Sequence, residues 1–172
     1  MGRIVKSLSQ CNMLWSPMIF ASIGTMNMPF IRMAKAVDEF AKQTDEVVIV
    51  QTGYTEYPYQ YAKAFRFCTK EEMHDYIEHA SILILQGGWG AISEAMEMNK
   101  RIVVLPRHDK TEHIHDQFQL VRKLDAMGCV IGVYDENNLS EAIEKSKTFH
   151  FQHFCKGNAE TLIREKLRLW FR

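Results

Sequence analysis

The strongest constraint on this chain is a repeated alternation between short apolar runs and longer amphipathic stretches. Several runs are rich in Val and Ile and lack polar alternation, which is typical of strands buried on both faces. The six runs are MIFASIG (18–24), EVVIVQTG (46–53), AFRFC (64–68), SILILQGG (81–88), RIVVLP (101–106) and CVIGV (129–133). Strands that alternate with helices predict an α/β fold with a parallel sheet covered on both sides.

The stretches between the runs carry apolar residues at helical spacing. Phe30, Met33, Val37 and Phe40, for example, share one face of a helix. The predicted helical stretches are 29–43, 70–80, 91–100, 115–128, 138–147 and 158–172. Gly128 closes the fourth stretch, and we expect it to be the glycine that follows that helix.

Composition excludes several classes of protein. The chain has 172 residues, which suits one domain, and its 21 Lys and Arg residues balance 21 Asp and Glu residues. A net charge of zero argues against a nucleic-acid binder, which usually has a basic excess. The 4 cysteines show no close pairing, so neither a zinc site nor a disulfide framework is expected. We therefore expect a reducing, cytoplasmic location.

The most informative motif is QGGWG (86–90), which joins the fourth predicted strand to a helix. Ligands of parallel sheets bind at the carboxyl ends of strands, and glycines let them approach the backbone. The N–H groups at the start of a helix attract phosphate. A tight turn with close helix–strand packing would explain the same glycines. Neither a complete dinucleotide fingerprint nor a P-loop is present.

Glu94 favours the ligand interpretation of this loop. We expect it in the first turn of the helix, about 6 Å along the axis beyond Gly90. That is roughly the separation between the terminal phosphate and the ribose of a nucleotide, and a carboxylate can accept hydrogen bonds from both ribose hydroxyls. The alternative is a negative charge that stabilises the N-terminus of the helix.

These motifs resemble the donor-binding segment of family-28 glycosyltransferases. The resemblance rests on MIFASIGTMNMPFIRMAKAVDEFA, RFCTKEEMHDYIEHASILI and QGGWGAISEAMEMNKRIVVLPRHDKTEHIHDQFQLVRKLDAMG. The chain from Met18 to about Lys147 is most similar to small single-domain members, which serve dolichol-linked oligosaccharide and bacterial capsule or exopolysaccharide synthesis. The resemblance implies a Rossmann-like domain equivalent to the C-terminal half of a GT-B enzyme.

By resemblance, one group of residues binds the diphosphate and ribose of a UDP-sugar. The diphosphate residues are Gly24, Thr25, Gly87, Gly88, Gly90 and Ser93, and the ribose residue is Glu94. The UDP-sugar is the donor substrate, and the resemblance implies neither a cofactor nor a metal. His108, His113 and His115 cluster in one loop, but without further ligands they do not indicate a metal site.

A second group of residues is implied to bind the base and the sugar. Phe67 and Cys68 fall where relatives line the uracil pocket, and Asp116 and Gln117 match the pair that reads the sugar hydroxyls. Gln86 stands where relatives usually carry His, so it can form hydrogen bonds but cannot titrate. No catalytic residue is assigned within the chain.

The resemblance further implies an inverting, metal-independent transfer of a hexose or N-acetylhexosamine to a lipid-linked saccharide acceptor. Because a GT-B enzyme needs two such domains, it also implies a membrane-anchored partner subunit that binds the acceptor and supplies the base. The chain would then be peripheral at the membrane through this partner. The alternatives are a non-catalytic module that binds nucleotide sugar or a partner enzyme, an epimerase-like enzyme, and an oxidoreductase with a degenerate loop.

The domain limits follow from the match. We expect residues 1–17 to be an extra segment, either a disordered arm or a cloning remnant, with Met18 as an alternative natural start. Residues 18–148 form the UDP-sugar-binding domain, and 149–172 form a helical tail. That tail either packs on the domain or contacts a partner or membrane surface. Arg107 and Lys110 either screen the diphosphate or are ordinary solvated charges.

Overall fold

A computed structural model describes residues 17–107, 116–154 and 159–170. Six strands form one sheet, in which every neighbouring pair is parallel. They are β1 (Met18–Ser22), β2 (Val47–Gln51), β3 (Lys63–Phe65), β4 (Ala80–Gln86), β5 (Ile102–Leu105) and β6 (Ile131–Gly132). Each overlaps one of the six apolar runs and begins at most one residue before it, so the predicted α/β fold is confirmed. The predicted N-terminal arm, apart from residue 17, lies outside the described residues.

Helices occupy all six predicted stretches. They are α1 (Ile31–Ala41), α2 (Lys70–His79), α3 (Trp89–Glu97), α4 (Phe118–Ala126), α5 (Leu139–Thr148) and α6 (Ala159–Trp170), with a 3-10 turn at Glu136–Asn138. Gly128 follows α4 with φ +71°, and its N–H donates to the Asp125 carbonyl at 2.8 Å. This left-handed backbone is the conformation that glycine tolerates best, so the predicted helix end is confirmed.

The sheet is buried on both faces because its strands are apolar at successive positions. In β4, Ile82 and Ile84 enter one hydrophobic cluster with α1 and α5, whereas Leu83 and Leu85 enter a second cluster with α2, α3 and α4. All four side chains are at most 2% exposed. Burial of one such side chain stabilises the fold by about 1.5–3 kcal/mol.

The strand order β3-β2-β1-β4-β5-β6 creates a crevice at the centre of the sheet. The chain runs outward from β1 to β3, then returns to place β4 on the other side of β1. Connections from β1 and β4 therefore diverge to opposite faces, and ligands of open α/β sheets bind at such a reversal. Ser22 pairs with Leu85 in the register, so the turns that follow β1 and β4 are neighbours.

The helix after β4 begins earlier than the sequence predicts. Gly88 is its N-cap and Trp89 its first residue, so Glu94 is the sixth residue and the first turn contains no acidic side chain. The expectation that Glu94 lies in the first turn is wrong. Since the helix-dipole effect is strongest within the first turn, stabilisation of the helix N-terminus is a weak explanation for this glutamate.

The C-terminal part is not helical throughout. Residues 149–154 have no helix, and they cross the end of the domain with Phe151 packed on one hydrophobic cluster and Phe154 on the other. Helical structure in the predicted tail is therefore confined to 159–170 among the described residues. The division into a domain at 18–148 and a tail stays a prediction.

Candidate functional site

The turn after β1 forms one side of the central crevice. Gly24 has φ +88°, which strains any residue with a β-carbon, and the exposed Thr25 follows it. Gln51, at the end of β2, is 1% exposed. Its Oε1 accepts from Ser22 Oγ at 2.9 Å and from Gly24 N at 3.2 Å, and its Nε2 donates to the Arg66 carbonyl at 3.1 Å. Gln51 therefore fixes the β1 turn against β2 and the end of β3.

Gln51 is a site residue that the sequence interpretation missed. The available signal is a single amide at the end of the otherwise apolar run EVVIVQ. A buried amide in such a position must be hydrogen-bonded, since an unpaired one would cost about 1–3 kcal/mol.

The glycine loop after β4 forms the other side of the crevice. The surroundings that a side chain would meet differ from one of its glycines to the next. A β-carbon on Gly87 would lie 2.7 Å from Gln117 Oε1, and one on Gly88 would lie 2.4 Å from Gln86 Nε2. Packing explains Gly87, whose β-carbon would also lie 2.8 Å from Gln117 Cβ, whereas the contact at Gly88 is with the end of a flexible side chain. A β-carbon on Gly90 would meet no atom within 4 Å. Gly90 is exposed in the first turn of α3, and the fold gives no reason for its missing side chain.

Two glutamines connect this loop to the next strand. Gln117 Nε2 donates to Gln86 Oε1 at 2.8 Å, and Gln117 Oε1 accepts from the backbone N–H of Arg107 at 3.0 Å. Gln117 is 6% exposed, whereas Gln86 is half-buried at the crevice. The fold thus brings Gln117 directly to the glycine loop.

Glu94 lies on α3 where a neighbouring helix meets it. Its Oε1 is 3.1 Å from His74 Nδ1 of α2, and its side chain is 35% exposed. The carboxylate is therefore accessible and retains acceptor positions that His74 does not use. Ser93, one residue earlier, donates its hydroxyl to the Gly90 carbonyl at 3.1 Å and so completes a hydrogen bond within the helix.

Phe67 and Cys68 lie between β3 and the start of α2. Phe67 is 48% exposed and contacts Tyr54 edge to face, with 5.2 Å between the ring centroids. Burial raises the pKa of the Cys68 thiol, and the nearby Glu72 carboxylate adds to the rise. Cys68 is therefore a neutral thiol at physiological pH, which suits a packing or pocket-lining role better than nucleophilic chemistry.

Comparison with known proteins identifies the family. The profile of the glycosyltransferase family 28 C-terminal domain matches residues 18–165. The chain belongs to this family. A comparison with curated proteins gave no significant match.

Solved glycosyltransferases share the fold of this family-28 domain. The glycosyltransferase of kitacinnamycin is 14% identical with TM-score 0.62, and the alignment covers 86% of this chain and 39% of that protein. CalG4, the calicheamicin glycosyltransferase, is 17% identical with TM-score 0.60 and coverages of 81% and 36%. VinC in complex with dTDP is 10% identical with TM-score 0.55 and coverages of 77% and 34%. The chain thus spans less than two-fifths of each of these three proteins.

Asp116 and Gln117 are adjacent in this family-28 domain, but their side chains have different partners. Asp116 Oδ1 accepts from the backbone N–H of Phe118 at 2.8 Å and so satisfies a donor at the start of α4. Its side chain lines a cavity of about 450 Å³ together with Phe118, Arg122 and Tyr134. Gln117 contacts the glycine loop, but the described contact of Asp116 is with its own helix.

Arg107 has a role that neither sequence interpretation anticipated. It is 1% exposed, and its guanidinium donates to the Met28 carbonyl at 2.8 Å and the Ile23 carbonyl at 3.0 Å. The guanidinium also lies 4.7 Å from the centre of the Phe30 ring. Arg107 therefore anchors the connection between β1 and α1 and is not a solvated charge. Lys110 lies outside the described residues.

Trp89 of the QGGWG motif contacts another aromatic side chain. Trp89 is 43% exposed and contacts Phe154 edge-on, with 5.7 Å between the ring centroids, so it packs on the segment that follows α5.

Across residues 17–107, 116–154 and 159–170, no group of three or more His, Cys, Asp or Glu side chains could hold a metal ion. The histidines at 108, 113 and 115 lie outside these ranges. No helix in the described part of the chain combines the length and apolar character needed to cross a membrane.

Proposed function

We propose that this family-28 domain is the donor-binding subunit of a UDP-sugar glycosyltransferase. One observation carries the proposal. In a chain of this family, the Gly24 turn and the 86–90 loop meet at the carboxyl ends of neighbouring strands where the sheet order reverses. That position is where open α/β sheets hold nucleotides.

The diphosphate of the donor binds between the two turns. Backbone N–H groups in the first turn of α3 are available to the diphosphate. The first N–H groups of a helix have no intrahelical acceptor, and the N-cap residue Gly88 provides no side-chain acceptor. Gly90 leaves open space beside them. VinC, which has the same fold, was solved with dTDP, a nucleoside diphosphate.

The ribose and base of the donor lie along α3 and α2. Glu94 accepts hydrogen bonds from the ribose hydroxyls, and Phe67 and Cys68 line the uracil. Support comes from the accessible Glu94 carboxylate and from the half-exposed Phe67 ring at the same carboxyl edge of the sheet. For the sugar side the resemblance offers Asp116 and Gln117 as candidates, and of these two only Gln117 contacts the glycine loop.

The chain contributes stabilisation of the leaving group. Amides that are already oriented toward the diphosphate stabilise the charge that develops as the sugar–phosphate bond breaks. The transfer is proposed to be inverting and metal-independent, with a hexose or N-acetylhexosamine as the transferred group.

A membrane-anchored partner subunit supplies the acceptor side of the reaction. It brings a lipid-linked saccharide and the base, and it holds this cytoplasmic chain at the membrane during surface polysaccharide or oligosaccharide synthesis. The proposal rests on the resemblance, which implies a second, acceptor-binding domain in a complete GT-B enzyme, whereas the family match here is to the C-terminal domain alone.

The ribose contact provides the direct test. We expect Glu94→Ala to weaken UDP binding by more than about tenfold, since a charged acceptor for ribose hydroxyls is lost. Isothermal titration calorimetry measures the affinity, and the melting temperature should change by only a few degrees. Glu97→Ala, on the exposed side of the same helix, is the control and should bind UDP like the wild type. An unchanged affinity of Glu94→Ala would refute the ribose assignment.

A non-catalytic binding module is the second candidate. Gln86 favours it, because this loop side chain cannot exchange a proton where relatives usually have His. Release of UDP from a UDP-sugar by the purified chain together with its co-expressed partner and a lipid-linked acceptor would exclude this candidate. Tight UDP binding without any release would favour it.

A further inference from the structure

We propose that Gln117 is a positioning residue that fixes the orientation of the Gln86 side-chain amide. In this arrangement the NH2 group of Gln86, and not its carbonyl oxygen, faces the diphosphate crevice. The inference rests on the proposed nucleotide function, which it extends to the two glutamines. It differs from the role implied by resemblance, in which Gln117 reads the sugar hydroxyls.

The orientation follows from a hydrogen bond whose direction is fixed. The backbone N–H of Arg107 can only donate, so the side-chain atom of Gln117 that lies 3.0 Å from it is the oxygen. The other end of the Gln117 amide is then NH2. It donates to Gln86 at 2.8 Å, and the Gln86 atom that accepts must be the carbonyl oxygen. The remaining end of Gln86 is therefore NH2.

Burial prevents the Gln117 amide from reversing. Gln117 is 6% exposed, and a reversed amide would place its NH2 group against the Arg107 N–H, with little water to compensate for two donors that face each other. The oxygen and the NH2 group of Gln117 each make one of these hydrogen bonds, to Arg107 and to Gln86. Because only 6% of the residue is exposed, little of the amide is open to a sugar hydroxyl, which is why the structure assigns Gln117 to positioning.

The Gln86 NH2 group lies between the two turns of the proposed diphosphate site. A β-carbon on Gly24 would be 3.1 Å from Gln86 Nε2, and one on Gly88 would be 2.4 Å from it. The NH2 group has no hydrogen-bond acceptor among the residues that the structure describes. A donor in this position attracts an anionic oxygen, whereas a carbonyl oxygen would repel one.

The test compares UDP with uridine, since only UDP carries the diphosphate. Gln117→Glu still accepts from the Arg107 N–H but cannot donate to Gln86. The Gln86 amide should then reverse and direct its oxygen at the diphosphate. We expect at least about tenfold weaker UDP binding with uridine binding unchanged, measured by NMR titration of the full chain. Gln117→Met removes the positioning without forcing the reversal, so its loss for UDP should be smaller.

A matched control makes the same change of charge nearby. Gln119→Glu lies two residues away on an exposed part of α4 and should bind both ligands like the wild type. Equal losses of UDP and uridine in Gln117→Glu, or equal behaviour of Gln117→Glu and Gln117→Met, would overturn the positioning role. A wild-type chain that binds UDP no better than uridine would overturn the proposed diphosphate site itself.

If Gln117→Glu does not fold, Gln86→Glu tests the other end of the interaction. One carboxylate oxygen accepts from Gln117, and the second faces Gly24 and Gly88. We expect UDP binding to weaken by at least about tenfold and uridine binding to persist. UDP binding equal to that of the wild type would contradict the inference.

Discussion

At the residue scale, the glycines of the 86–90 loop are not equivalent. Gly87 has no room for a side chain because the Gln117 amide occupies that space, whereas Gly90 faces open space. Glycine within a helix is about 1 kcal/mol less favourable than alanine, so Gly90 carries a cost that the fold does not require. This is the pattern expected where a ligand, and not the protein, occupies the space.

This difference predicts opposite effects of two alanine substitutions. Gly90→Ala should leave the free energy of unfolding unchanged or raise it by up to about 1 kcal/mol, yet weaken UDP binding. Gly87→Ala should destabilise the fold, since its β-carbon would lie 2.7 Å from Gln117 Oε1. Chemical denaturation and calorimetry measure the two quantities. A Gly90→Ala protein with unaltered UDP affinity would show that no diphosphate approaches this position.

A second residue-scale prediction concerns His74, which holds the Glu94 carboxylate at 3.1 Å. The pair is largely exposed, so its loss should hardly alter the melting temperature. His74→Ala should instead reduce the preference for UDP over 2′-deoxy-UDP, because Glu94 is no longer oriented toward the ribose. His74→Gln can still donate and should retain the preference. Calorimetry with both nucleotides decides, and an unchanged preference in His74→Ala would refute the positioning of Glu94.

At the element scale, the loop between β2 and β3 is held on α1 by one buried carboxylate. Asp38 is 4% exposed and accepts from the backbone N–H groups of Gln60, Tyr61 and Ala62, with the Tyr61 and Ala62 bonds at 2.9 Å. Burial alone would raise the pKa of Asp38, but the three backbone hydrogen bonds outweigh it and lower the pKa. The loop can therefore carry aromatic side chains at the sheet edge in a fixed position.

Asp38→Asn should lower the free energy of unfolding by about 2 kcal/mol at pH 7, because an amide is a weaker acceptor for three N–H groups. Since the folded-state pKa of Asp38 lies below its unfolded value of about 3.9, its contribution is complete above that pH. The contribution disappears as the pH falls through the folded-state pKa. The difference between wild type and variant should therefore shrink below about pH 4, which urea denaturation at several pH values would measure. A difference that is independent of pH would contradict this assignment.

At the scale of the whole molecule, the proposed function gives this chain one side of a reaction that needs two. In the proposed function the described crevice binds the donor, and the loop side chain Gln86, which accepts from Gln117, has no group that can act as an acid or base. Binding and turnover should therefore separate experimentally.

We expect the purified chain to bind UDP but to transfer sugar poorly to a soluble acceptor. Turnover should appear when the chain is combined with the proposed membrane partner, since orienting the acceptor and removing its proton are the roles proposed for that partner. A radiolabelled-sugar transfer assay, with and without the partner, measures this. Full turnover by the isolated chain would show that the proposed partner is dispensable.

The sequence by itself determined the elements of the fold. Apolar runs such as SILILQGG are typical of strands buried on both faces, and the amphipathic stretches between them are typical of helices that cover those faces. These are local patterns, so every predicted strand and helix was found. The limits were less certain: α3 begins at Trp89 because Gly88 can serve as its N-cap, which places Glu94 beyond the first turn.

Only the tertiary structure decided which side chains meet. Gln51, Arg107 and Gln117 are polar residues whose spacing along the chain carries no periodic signal, and each is buried because the fold brings backbone donors or acceptors to it. The tertiary structure also gave the adjacent Asp116 and Gln117 different partners. It showed that Gly87 has no room for a side chain, whereas Gly90 faces open space. Such long-range pairing depends on strand order, because hydrogen-bond partners across the sheet are distant in sequence.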